Sequence, residues 1–197
     1  MSYEVRVNGE DMPWTVGDHP ALDFCNTYAG WHRTLLPGND WLPTYRALAV
    51  WTGYVNLIDE AAVNRLLEQA KWDPGQAGRL IEDALALRSH LYRCLTDTDD
   101  QVAFGAVARH AESAARAMTY TWNNAGRGRW QPNPDSHLHL PTHAIAWSAA
   151  ELLADPRRFI VRACPNPRCG WLFLDETGTR RRCNLATCGQ HADSSAQ

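Results

Sequence analysis

The sequence predicts a mainly α-helical protein: a helical N-terminal domain over residues 1–156 that carries a β-hairpin, and a small four-cysteine zinc finger of treble-clef layout over residues 157–197. Three observations predict it. Apolar residues recur at helical spacing through most of the first 156 positions. Capping residues stand where those runs begin. Beyond residue 156 the pattern changes to short apolar stretches between two cysteine pairs.

Along the chain, Glu4 to Val7 alternates like a short strand, and a turn-rich stretch follows to Pro20. Pro20 suits the first position of a helix, where a missing N–H costs nothing, and Ala21 to Ala29 continues it. Thr34 to Asp40 is loop around Pro37-Gly38-Asn39. Leu48, Trp51, Thr52 and Val55 give helical spacing from Pro43 to Leu57. Asp59 reads as an N-cap for a stripe of Val63, Leu66, Leu67 and Ala70. The strongest helix start is Asp73-Pro74-Gly75-Gln76, which joins a capping carboxylate, a first-turn proline and Gln three positions on. It opens a stripe of Leu80, Ile81, Ala84, Leu87, Leu91 and Leu95. Asp100 to Met118 reads as a further helix with Val102, Ala106, Val107 and Ala114 inward. Thr119 to Gln131 then switches period to a hairpin turning at Asn123-Asn124-Ala125-Gly126. Pro141 begins a helix that ends at Asp155-Pro156. Arg158 to Arg162 and Trp171 to Leu174 read as strands, Asp175 to Gly178 as a turn, and Thr179 to Arg182 as a returning strand. Cys183 and Cys188 then open a short last helix, and Ala192 to Gln197 is a polar tail.

Cys164, Cys169, Cys183 and Cys188 form two C-x4-C pairs. Zn²⁺ favours four thiolates in a tetrahedron, and two tight knuckles supply them. Pro165, Pro167 and Gly170 stiffen and turn the first knuckle. The alternative is a disulfide framework, which belongs to secreted chains, and the polar start Met1 to Met12 has no apolar signal segment. One structural zinc ion is therefore expected. Four thiolates leave no open position for a catalytic water. Cys25 and Cys94 fall on apolar helical faces as small core residues.

At 45% apolar and 21% charged residues the composition is that of a globular protein, and no apolar run is long enough to span a bilayer; a soluble cytoplasmic protein is expected, with no membrane partner. The nine tryptophans are read mostly as packing groups. Net charge is −3, but residues 157–197 set seven arginines against Asp175, Glu176 and Asp193, which is +4 and leaves −7 on the rest. Arg180, Arg181 and Arg182 adjoin Cys183. They read either as phosphate contacts for nucleic acid or as neutralising groups around the metal centre. Asp23, Asn26 and Thr27 share one side of the first helix and read either as a small-ligand site or as ties to a neighbouring loop. His137, His139 and His143 lie close together without a marked metal partner. No catalytic motif is present, so an enzyme is not expected.

Two stretches carry a resemblance: Leu22-Asp23-Phe24-Cys25-Asn26-Thr27 followed by helical Trp51, and Cys164-x4-Cys169-Gly-Trp171-Leu-Phe-Leu-Asp175 followed by Arg181-Arg182-Cys183-x4-Cys188-Gly189. Together they resemble the bacterial CGNR zinc-finger family, whose N-terminal helical domain is called ABATE. The resemblance implies a stress-responsive or ligand-sensing helical domain joined to a DNA-binding finger, in a transcriptional regulator. One departure matters. Where the family has Cys-Gly-Asn-Arg and then a basic helix, this chain has Cys188-Gly189-Gln190-His191 and a tail without Lys or Arg. The zinc ligands are intact, but cations placed to meet phosphate are missing after Cys188. The alternative function is an interaction module whose finger is purely structural.

Overall fold

The computed structural model describes residues 4–31, 39–122, 125–183 and Cys188. Among these, six α-helices and three two-stranded antiparallel sheets occur. The chain opens with β1 (Glu4–Val7) against β2 (Glu10–Pro13), joined by a tight turn in which Asn8 and Gly9 both take positive φ. Then come α1 (Pro20–Cys25), α2 (Tyr45–Tyr54), α3 (Glu60–Trp72), α4 (Pro74–Thr96) and α5 (Gln101–Arg116). Hairpin β3 (Met118–Trp122)–β4 (Gly128–Pro132) leads through a 3-10 segment, Pro134–His139, into α6 (Leu140–Ala154).

Local signals set the helix starts. Asp59, Asp73 and Asp100 each accept a hydrogen bond from the backbone N–H three residues on, at 2.7–2.8 Å. Those bonds satisfy donors that have no partner inside the helix. Thr44 caps α2 in the same way, through the Ala47 N–H. Helix α6 is apolar around most of its circumference, with Leu140, Ala144, Ile145, Ala146, Ala149 and Leu152 buried. A helix without a polar face belongs inside a fold, and α6 packs against both α5 and α1. Its alanines and those of α5 (Ala103, Ala106, Ala114) let the two axes approach closely.

Three local readings change. Helix α1 is shorter than the run Ala21 to Ala29, because Asn26 closes it with a backbone N–H to the Leu22 carbonyl. Val102 is 74% exposed, since the buried stripe of α5 runs through Ala103, Ala106, Val107 and Ala114 and leaves residue 102 to one side. Strand β2 pairs with β1 although its polar sequence, Glu-Asp-Met-Pro, gave no strand signal. The loop Thr34 to Asp40 lies mostly outside the described residues, as does the turn at Asn123-Asn124.

The last part of the chain departs further. Pro156–Ile160 is a 3-10 turn, so the strand begins only at Val161. β5 (Val161–Ala163) pairs with β6 (Leu172–Leu174), which puts the first cysteine pair in the loop between them. Thr179 to Arg182 forms no strand. The β6 edge it would need is occupied: the Asn26 side chain bonds Leu172, and the Leu174 N–H donates to the Gly17 carbonyl at 3.3 Å. The short last helix and the polar tail fall outside the described residues, apart from Cys188.

A buried charge fixes the loop after α1 to α4. Arg88, 4% exposed, reaches Asp40 through two hydrogen bonds at 2.8 and 2.6 Å and donates to Thr27 Oγ1 at 2.9 Å. Asp40→Ala leaves that guanidinium buried without its counter-charge, and a loss of about 3 kcal/mol is expected in urea denaturation. Arg88→Met in the same background should restore part of it; an Asp40→Ala protein as stable as wild type contradicts this role.

Candidate metal centre and its anchor

The first knuckle is shaped by its own side chains. Asn166 Oδ1 accepts from the Arg168 N–H at 3.0 Å, and the Cys169 N–H donates to the Asn166 carbonyl at 2.9 Å. Gly170 takes φ +72°, where a side chain would be strained, and the Cys164 N–H to Trp171 carbonyl bond at 2.7 Å closes the loop. This turns Cys164 and Cys169 to one side. Cys183 and Cys188 meet them there, so that all four sulfurs lie within 4.8 Å of one another. Cys164 and Cys188 sulfurs are 3.1 Å apart, and those of Cys169 and Cys183 3.5 Å. Both are far longer than the ~2.05 Å of a disulfide and shorter than the ~3.8 Å between sulfurs around a tetrahedral zinc with ~2.3 Å bonds, so the four sulfurs are gathered closely enough for one ion to draw them into its coordination sphere.

The thiols themselves favour a cation. The neighbouring sulfurs and burial push the Cys169 and Cys183 thiols up. At this spacing each thiolate opposes ionisation of the next, and a divalent ion removes that opposition. Four sulfurs with no oxygen or nitrogen donor fit one structural zinc ion. Among the described residues this is the cluster whose ligand atoms converge. His139 and His143 stack at 5.7 Å between ring centroids, and His137 faces Gln69 at 3.3 Å, so the three histidines do not gather around a point.

The zinc site is part of the helical body. Val16, Ala29 and Trp41 from the N-terminal half pack around Cys164, Cys169, Trp171, Phe173 and Cys183. Trp41 meets Trp171 edge to face at 5.8 Å. The backbone is tied as closely: the Gly30 N–H donates to the Cys169 carbonyl at 2.9 Å, Tyr92 Oη to the Gly170 carbonyl at 2.8 Å, and Trp171 Nε1 to the Tyr28 carbonyl at 3.0 Å. Cys169 and its two successors, Gly170 and Trp171, are therefore held from α4 and from the segment after α1.

Asp23, Asn26 and Thr27 are all buried beside this junction. Asn26 Nδ2 donates to the Leu172 carbonyl at 2.8 Å, and Asn26 Oδ1 accepts from the Leu172 N–H at 2.7 Å. Asp23 Oδ1 accepts from the Val16 and Gly17 N–H groups at 2.9 and 2.8 Å. Thr27 Oγ1 donates to the Phe24 carbonyl and accepts from Arg88. The triplet is engaged with protein groups, most of them backbone. Of the two readings of these residues, the geometry matches ties between segments.

The arginines separate. Arg180 is turned inward: its guanidinium lies 4.5 Å over the Phe173 ring, donates to the Val16 carbonyl at 2.7 Å and to the Cys183 carbonyl, and pairs with Asp18. Arg181 and Arg182 are exposed and have no ion-pair partner among the described residues. Sequence reasoning did not find Tyr92, Asp40 or Arg88. A signal existed for Arg88, a charge on the buried stripe of α4 between Leu87 and Leu91.

These features define a class: a helical protein with a structural four-cysteine zinc finger built into its body. The ABATE family, described as "Putative stress-induced transcription regulator", matches residues 18–156, and the CGNR zinc finger matches residues 161–197. The chain belongs to the ABATE family and carries a CGNR zinc finger over residues 161–197. A search of curated proteins found no match.

Burial pushes the Asp23 carboxyl up from 3.8 to about 6, against the lowering effect of its two backbone donors. The folded state thus binds this proton more tightly than the unfolded chain does. Stability contributed by Asp23 is greatest at acid pH and is lost as pH rises from near 3.8 to about 6. Asp23→Asn cannot titrate. Plotted against pH, the stability of wild type relative to this variant should fall across that window; a flat difference contradicts the assignment.

Proposed function

We propose that this chain is a zinc-dependent transcriptional regulator acting in the cytoplasm, whose finger meets DNA through Arg181 and Arg182 while its helical half responds to a small ligand. The observation that carries the DNA contact is the exposure of these two arginines beside Cys183, in a segment with a surplus of positive charge. Phosphate contacts need cations that the fold has not already used, and Arg180 is used. The negative surplus on residues 1–156 directs any DNA toward the finger. Support for a regulatory link comes from the bonds between Asn26 and Leu172 and between Tyr92 and Gly170, because they join the end of α1 to β6 and α4 to the end of the first knuckle.

A second reading is favoured by the same anchoring. A finger this closely held, with no Lys or Arg among residues 189–197, serves as an internal brace in an interaction module. An electrophoretic shift titrated against salt separates the two. Arg181→Ala with Arg182→Ala should flatten the log–log salt slope by roughly 1.8, at ~0.9 per phosphate, whereas Arg180→Ala should mainly lower thermal stability. Absence of any shift at low salt, or a slope unchanged in the double variant, favours the brace.

A further inference from the structure

A cavity of about 420 Å³ opens between the α2–α3 turn, strand β4 and helix α6, away from the zinc centre. Its volume falls within the ~300–1,000 Å³ common for small-molecule sites. The hollow has a sequence cause. Ala62, Ala144 and Ser148 form buried parts of its lining, and such small side chains leave space where larger ones would fill it. Trp130 and Trp147 supply aromatic surface; Trp130 remains 55% exposed.

The charges around this hollow are mixed. Arg65 and Arg129 supply two cations, and Asp59 and Glu151 two carboxylates. None of the four forms an ion pair among the described residues; Arg129 donates to Gln131 at 3.2 Å, and one Asp59 oxygen caps α3. Indole faces favour a flat ring, guanidinium groups a carboxylate, and a carboxylate an ammonium group. We infer that this cavity is a binding site for a small aromatic zwitterion, its ring against Trp130 and Trp147, its carboxylate toward Arg65 and Arg129, and its ammonium toward Glu151. The inference names the site for the ligand response proposed above and rests on that reading. Helix α6 also packs on α1, which carries the finger's anchor, so an occupant of the cavity touches an element that adjoins that anchor.

Calorimetry on the zinc-loaded full chain tests it with L-phenylalanine, 3-phenylpropionate and phenethylamine as probes. Phenylalanine should bind saturably, and the two probes lacking one charge should bind more weakly by about tenfold or more, the loss expected for a missing charge-assisted hydrogen bond. Arg129→Ala and Arg65→Ala, both at exposed positions, should each weaken phenylalanine by a similar factor. Glu151→Gln should weaken phenylalanine while sparing phenylpropionate. Circular dichroism and melting temperature verify that each variant is folded. No saturable binding of phenylalanine, equal binding of all three probes, or unchanged affinity in the folded variants overturns the site. A chain that shifts DNA but binds none of these probes refutes the cavity assignment and leaves the DNA reading standing.

Discussion

The two hydrogen bonds between the Asn26 side chain and the backbone of Leu172 are the contact on which the rest depends. A three-residue strand at the edge of a two-stranded sheet exposes N–H and C=O groups that need partners once buried. A side-chain amide sets an N–H donor beside a carbonyl acceptor in fixed geometry and so stands in for a neighbouring strand. Asp at this position would lack the donor, and Leu would lack both. With this edge closed by Asn26 and extended by Gly17, the finger sits against α1, and residues 179–183 run apart from β6 and bring Cys183 to the first knuckle.

That constraint gives the zinc ion a larger role than closing a loop. Small metal modules fold because ligand binding supplies free energy that their core cannot. Here the core around the sulfurs is shared, since Val16, Ala29 and Trp41 come from the N-terminal half. The same junction answers where Asp23, Asn26 and Thr27 spend their polar groups. It also sets Arg180 apart from Arg181 and Arg182: a guanidinium over Phe173 that bonds Val16 is part of the packing, and only its two neighbours face solvent.

Much of the fold was legible because its signals are local. Asp59, Asp73 and Asp100 each cap the helix that their position announces, and the paired cysteines converge because each C-x4-C spacing acts within a single short segment. What failed depends on partners far along the chain. Nothing near Thr179 says that the edge of β6 is already taken by a residue 146 positions before Leu172. Likewise the spacing of Asp23, Asn26 and Thr27 announces a buried polar cluster, but a ligand and a distant backbone satisfy such a cluster equally well on paper. Val102 shows the limit of periodicity itself, since one stripe can be drawn through α5 in more than one phase and the packing of α4 and α6 chooses between them.

Because the core around the sulfurs is shared with the helical half, zinc should hold that half as well as the finger. Hydrogen–deuterium exchange before and after removal of the metal with a strong chelator tests it most directly. Loss of protection should extend beyond residues 161–183 into α1 and the turn of α4 around Tyr92, because Asn26 and Tyr92 lose the partners that fix them. Loosening confined to the finger, with α1 and α4 as protected as in the zinc-bound protein, would contradict the account.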